Sequence, residues 1–416
     1  MTNIGIVGAG VAGLQLGLFL RQHGIQATIY TEKSATEQLG SRLPALVARV
    51  GHTRDRESQL GVNYWDQADT EIPRIHVSVG GEHPLAFIGN VTRPSIVVDM
   101  RIFFSRLLEE FAARGGQVVV AEMGLVDVER VSANHDLMVV ATGRGGLSEL
   151  FPRIPEHSPF TSPQRIICAG LFRGVSYPKP FGASLSIVPG HGELIEFPIY
   201  SFEPRVTGLL FEAIPGGVFE ILSKLRYEDD PRRFERTMLK LLHQHAPAIY
   251  ARIDLRRFGL TRPLDLLQGG ITPGVRRGYA RLGNDTWALA LGDAHLINDP
   301  ITGQGANTAS KMAWMLGEAI RDGATFDEAF CKRMEQIAWD YAAPIVAWSN
   351  TMVQPPAPHQ VELLVAAAQH QPVADTFANF FEYPHRAWEI LSRPEHTTDF
   401  LRQYGWQGMP HMQQAA

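Results

Sequence analysis

Runs of apolar and polar positions change period several times along the chain, and each period predicts an element. Ile4-Gly5-Ile6-Val7 is a short continuous apolar run, the pattern of a strand buried on both faces. A glycine turn follows. Leu14, Leu16, Leu18 and Leu20 then open a helical stretch that ends near Gly24, and Ala27-Thr28-Ile29-Tyr30 reads as a second strand. Strand, turn, helix and strand in this order form the first unit of a doubly wound sheet. Residues 45–97 switch to short alternating runs such as Ile75-His76-Val77-Ser78-Val79, broken by Gly80-Gly81 and Pro84, and predict antiparallel strands. Asp99 caps a predicted helix whose Met100, Phe103, Phe104, Leu107, Leu108 and Phe111 share one face, and Gly115 closes it. Val118-Val119-Val120 and Leu137-Met138-Val139-Val140 return to the α/β layer. From Cys168 to Ile271 the pattern is strand-rich, with one helix starting at Asp230-Pro231. Leu289-Ala290-Leu291 is a further buried strand, followed by a loop and a helix to Ile320; the remainder is mainly helical, with a frayed Gln-Gln-Ala-Ala tail. The expected class is mixed α/β. A Rossmann-like domain is assembled from 1–44, 98–160 and 280–330, a β-rich domain from 45–97 and 161–279, and 331–416 forms a C-terminal helical segment.

Composition narrows the function classes. The chain has 416 residues, a formal net charge of −5, 45% apolar and 19% charged residues, which is a globular balance. No apolar run is long enough to span a bilayer, and the glycine-rich N-terminus lacks the basic region of a signal peptide, so no membrane association is expected. The mild negative charge argues against a nucleic-acid partner. Two cysteines, Cys168 and Cys331, exclude a disulfide framework and a thiolate metal cage, and point to a reducing cytoplasm. The histidines form no H-x-x-x-H pair, and His243-Gln244-His245 falls on a helix expected to be exposed; no metal is expected. No G-x-S-x-G elbow is present.

The chemistry concentrates in two glycine motifs. Gly8-x-Gly10-x-x-Gly13, enclosing Val11 and Ala12, follows a strand and opens a helix, which is the setting of a dinucleotide fingerprint. Its glycines make the turn, admit a pyrophosphate and let the helix pack closely, while the helix N-terminus attracts phosphate. The acidic residue that should follow the second strand is displaced: Thr31 stands at the usual place and Glu32 next to it, either as a ribose ligand or as a solvated turn residue. The second motif is Gly292-Asp293-Ala294 followed by Asp299-Pro300-Ile301-Thr302-Gly303-Gln304-Gly305-Ala306-Asn307. In flavoprotein hydroxylases such a Gly-Asp binds the ribityl chain of FAD, and the glycine turn aims a helix N-terminus at the flavin ring, where it stabilises negative charge. Arg42 and Arg101 occupy positions that contact flavin in this class, although either also fits a solvated charge. The strand end Ala141-Thr142-Gly143-Arg144 adds Gly143 to the cofactor candidates and lacks the aspartate through which single-component hydroxylases respond to NAD(P)H.

At this point the chain resembles the oxygenase components of the styrene and indole monooxygenases. The likeness is carried by Gly5 to Gly10 with Leu16 to His23, Pro189-Gly190-His191-Gly192-Glu193-Leu194-Ile195-Glu196, Leu267-Gln268-Gly269-Gly270, the Asp299–Asn307 block and Phe381-Glu382-Tyr383-Pro384. It implies an FAD-binding domain of the glutathione-reductase/hydroxybenzoate-hydroxylase type and a two-component enzyme. A separate NADH-dependent flavin reductase would supply reduced FAD, which with O2 forms a C4a-hydroperoxyflavin that epoxidises a small apolar aromatic alkene or indole. It allows a homodimer. The family's styrene branch has an asparagine where Ala45 stands and a histidine at Arg49. Ile72 and Ile75 match the aliphatic indole branch, whereas Val47 and Ser95 match the styrene branch. Leu210, Pro300, Ile301 and Thr302 complete the candidate pocket, each apolar one equally at home in an ordinary core. Two rival readings stand beside this one. A self-sufficient NAD(P)H hydroxylase of an aromatic acid would use Arg49 as its carboxylate contact, and a redox-inactive binding protein would keep only the fold.

Overall fold

The computed structural model describes residues 2–66, 69–143 and 145–408. Arg144 of the strand-end motif and the Gln-Gln-Ala-Ala tail lie outside the described residues. The chain divides into two compact units, the first made of Met1–Asp66, Val98–Pro163 and Ile271–Ala343, the second of Gln67–Val97, Gln164–Gly270 and Pro344–Ala416.

The first unit is built on one sheet in the order Tyr279–Arg281, Trp287–Ala290, Leu137–Val140, Asn3–Val7, Gln26–Thr31 and Gln117–Val120. Its strands pair in parallel except for the antiparallel edge pair Tyr279–Arg281 and Trp287–Ala290. Ile4, Ile6 and Val7 are buried, as a strand covered on both faces requires. Helix Val11–Gln22 follows the first strand, and helix Met100–Ala113 starts at Asp99, whose carboxylate accepts from the Arg101 amide.

Segment 45–66 departs from expectation. Where strands were predicted, Gly51–Gln59 is a helix, and the segment groups with the first unit. Its sequence, GHTRDRESQ, carries no apolar stripe because the side chains it buries are Thr53 and Glu57, one turn apart. A helix with a polar inner face is invisible to hydrophobic periodicity.

The second unit is a β-sheet whose strands follow the order Gly259–Leu260, Ile166–Arg173, Val206–Ala213, Gly192–Ile199, Ala183–Val188, Glu71–Val79 and Leu85–Val97, with Leu266–Gly270 also on Ile166–Arg173. Pairing is antiparallel except between Glu71–Val79 and Ala183–Val188. Successive side chains serve opposite faces. Leu194 joins a core with Phe172, Phe211, Phe234 and Leu241, the latter two from helix Pro231–His245. Ile195 packs instead against a core of Val77, Phe87, Leu185, Trp348 and Phe377.

The C-terminal helices from Pro344 on therefore cover one face of this sheet and are not the separate segment expected for 331–416. Helix Gln371–Asn379 lies on strand Leu85–Val97, with Asp375 and Asn379 accepting from the Asn90 and Thr92 amides. Gly89 makes the approach possible: a Cβ there would stand 2.2 Å from the Ala374 carbonyl oxygen and 2.5 Å from the Ala378 Cβ. Gly89→Ala is expected to destabilise the fold by about 2 kcal/mol through overpacking. A thermal melt checks it, and an unchanged melting temperature contradicts the close packing.

Candidate flavin site

The two glycine motifs meet in the first unit, each with a separate physical job. Gly8 has φ +113°, and a Cβ would lie 2.4 Å from the Ala141 carbonyl oxygen. Only glycine makes this turn. A Cβ on Gly13 would stand 2.0 Å from the Gly8 carbonyl oxygen, so helix Val11–Gln22 rests directly on the turn. Gly10 is different: the nearest atom to its Cβ position is 3.9 Å away, which leaves its face open to a ligand at the helix N-terminus.

The second motif repeats the design. Trp287–Ala290 leads into a 3-10 turn, Gly292–Ala294, in which Gly292 has φ +64° and a Cβ added there would stand 3.4 and 3.5 Å from the Cβ atoms of Ala12 and Ala309. Asp293, the middle residue of this turn, is half-buried. Asp299 caps the turn Pro300–Thr302 by accepting from the Ile301 amide, and left-handed Gly303 leads through Gln304 into helix Gly305–Arg321. Positions above Gly303 and Gly305 are open, with nothing within 4 Å of a Cβ. Beside this turn, Asn298 is 7% exposed, yet among the described residues neither its Oδ1 nor its Nδ2 has a hydrogen-bond partner. The buried Thr142 hydroxyl oxygen next to Gly143 is also unpartnered. Open glycine cradles at two helix N-termini, with unmet polar groups at their rims, fit an elongated anionic dinucleotide.

Other expected contacts take more specific roles. The Thr31 hydroxyl turns back to the Lys33 carbonyl oxygen at 3.2 Å, while Glu32 is exposed at the strand end. Arg42 is exposed on its loop; Arg101 is fully buried, holding both Asp99 oxygens at 2.9 and 2.6 Å and the Ser41 carbonyl. Asn307 uses its whole amide inside the protein, donating to the Ala48 and Gly303 carbonyls and accepting from the Val50 amide and the Thr53 hydroxyl. Gln304 donates to the Thr302 carbonyl, and Ala306 sits half-buried in the first turn of the helix.

The candidate pocket residues fall in both units. Ala45 and Val47 are half-buried in the loop before Ala48–Arg49, and Pro300, Ile301 and Thr302 form the turn described above. Arg49 has an internal partner. It is 1% exposed, bonds the Glu57 carboxylate at 2.5 Å, and lies over the rings of Phe103 and Trp65 at 4.8 and 5.4 Å. In the second unit Ile72 and Ser95 are direct cross-strand partners. The register Val77↔Leu185, Leu185↔Ile195 and Ile195↔Leu210 places Leu210 and Ile75 on one sheet face.

Comparison with known proteins decides the family. The chain is 39% identical over 406 residues to styrene monooxygenase StyA of Pseudomonas fluorescens, covering 97% of this chain and 98% of the relative. It belongs to the styrene monooxygenase family. The family model described as "Styrene monooxygenase A putative substrate binding domain" matches residues 143–252. A flavoprotein/dehydrogenase from Cytophaga hutchinsonii shares the fold at 13% identity and TM-score 0.65, covering 98% of this chain and 97% of that one. The flavin-dependent brominase Bmp2 does so at 16% identity and TM-score 0.58, over 97% and 94%. The chain is thus a flavoprotein monooxygenase with FAD as cofactor. Among the described residues no helix is long and apolar enough to cross a membrane.

The geometry separates the two ribose candidates. Glu32→Ala is expected to weaken FAD binding about tenfold, the loss of one charge-assisted hydrogen bond, and Thr31→Val less than threefold. Titration of each variant with FAD checks this, and the reverse order contradicts it.

Proposed function

We propose that this member of the family takes reduced FAD from a separate NADH-dependent flavin reductase and uses it to epoxidise a small aryl alkene or indole. The observation that carries the first half is the pairing of two open glycine cradles with a chain that is similar to StyA across nearly its whole length. Bound reduced FAD supplies two electrons, so that one atom of O2 enters the alkene double bond and the other leaves as water.

The protein's part is to bind, orient and exclude water. Gly10 would admit the pyrophosphate at the N-terminus of helix Val11–Gln22, and Glu32 would accept from the ribose. Asp293 would hold the ribityl chain, and the N-terminus of helix Gly305–Arg321 would offset the charge of the reduced flavin. Arg101 acts indirectly, since its grip on Asp99 and Ser41 fixes the loop that carries Arg42. The chemistry needs no side-chain acid or base near the alkene. It needs a dry apolar surface. In the first unit Ala45, Val47, Pro300 and Ile301 are of that kind, with Thr302 polar; in the second unit the candidates are Ile72, Ile75 and Leu210, with Ser95 polar.

The rival readings fare less well. Arg49, the one residue suited to an aromatic acid, is 1% exposed and already paired through Nη1 with Glu57. A redox-inactive binder has no use for two intact glycine cradles.

Two assays test the proposal. The protein alone should leave NADH and NADPH unoxidised in the presence of FAD, styrene or indole. When chemically reduced FAD and O2 are added, styrene oxide or the indole oxidation product indigo should form. Substrate-stimulated NAD(P)H oxidation by the protein alone would overturn the two-component reading; absence of product with every alkene tried would overturn epoxidation.

A further inference from the structure

The helix that sequence periodicity missed is the hub of a buried polar circuit. Glu57, 0% exposed, accepts from Arg49 Nη1 at 2.5 Å with one oxygen and from Gln15 Nε2 at 3.3 Å with the other. Gln15 lies on helix Val11–Gln22, two residues beyond Gly13. Its Oε1 accepts from the Ser310 hydroxyl at 2.5 Å, and Ser310 accepts from Arg56 Nε at 2.8 Å. Arg56 Nη2 donates to the Thr53 hydroxyl at 3.0 Å, which donates to Asn307 Oδ1 at 2.8 Å. Asn307 Nδ2 closes the path on the Gly303 carbonyl at 2.8 Å. Ser310 and Asn307 both lie on helix Gly305–Arg321.

We propose that Glu57 is a positioning residue of the flavin site: held by Arg49, it fixes the Gln15 amide that joins the helix behind Gly10 to Ser310 on the helix behind Gly303. On the proposed function both helices turn their N-termini toward one FAD, so a shift of one against the other would misplace the pyrophosphate or the ring. The circuit is directional. Both Glu57 oxygens receive donors, so the carboxylate fits and a protonated acid does not. In a buried network one wrong donor leaves another group unmet.

The local charges bear on when the carboxylate is present. Burial pushes the Glu57 carboxyl up to about 7, with Asp66 acting in the same sense and Arg49, Arg56 and Arg54 opposing. The positioning form is therefore gained as pH rises through 7, and FAD binding should tighten over the same interval. The proposal rests on FAD use alone, and is independent of which alkene is oxidised.

The test titrates the intact chain with oxidised FAD from pH 5.5 to 8.5, following flavin fluorescence, with circular dichroism to confirm folding. Wild-type affinity is expected to rise about tenfold across pH 7, the effect of one charge-assisted contact. Glu57→Gln turns a donor toward the Gln15 amide and should stay folded, with affinity fixed near the low-pH value. The double exchange Glu57→Gln with Gln15→Glu returns an acceptor to every donor, and should recover affinity at pH 8 to within about threefold of wild type. A merely structural role would lower stability in both variants without this directional rescue. The proposal is overturned if Glu57→Gln keeps the wild-type pH profile, or if the double exchange binds no better than the single one.

Discussion

On the proposed function two helix N-termini face one ligand, and that requirement shapes the first unit. A dinucleotide such as FAD carries its anionic phosphates at one point and its redox-active ring at another. Each wants backbone N–H groups and the positive end of a helix. The protein meets this by packing two helices side by side behind two glycine turns. Gly13 lets the first helix touch the Gly8 carbonyl, and Gly292 supplies the left-handed φ of +64° that the Asp293 turn requires. A Cβ at Gly13 would collide with the Gly8 carbonyl oxygen and push the first helix off its turn.

Close packing sets the distance between the helices, but it does not by itself set their register. Hydrophobic contacts are tolerant of small slides, whereas hydrogen bonds of fixed direction are not. The polar circuit through Glu57, Gln15, Ser310 and Asn307 therefore complements the packing. It also explains why a helix as polar as Gly51–Gln59 is kept inside the unit. The same circuit reaches Ala48 and Val50 through Asn307, so the segment carrying Ala45, Val47 and Arg49 is tied to the flavin turn.

What the sequence made legible follows the range of the signal. The strand–turn–helix units around Gly8 and Gly292 were readable because their glycines sit at short fixed spacings with apolar runs beside them. The cap at Asp99 and the helix start at Asp230 were equally local. Helix Gly51–Gln59 was not readable, since its inner face is Thr53 and Glu57. Nor was the covering of the second sheet by the C-terminal helices, because Gly89 looks like an ordinary strand glycine until Ala374 is placed against it. Arg49 and Asn307 show the same limit within the site. Their types suggested a ligand contact, but their partners lie at Glu57, Ala48 and Thr53, beyond what spacing alone can rank. A buried Arg beside a run of polar residues with a carboxylate two turns on is the signal that could have revealed the pair.

The most direct test of the account follows the oxygen. The purified chain is mixed anaerobically with chemically reduced FAD and styrene or indole, then exposed to isotopically labelled O2. An oxygenated product carrying one labelled atom, formed without any nicotinamide cofactor, is expected. Labelled hydrogen peroxide as the sole product, unchanged by either substrate, would contradict it.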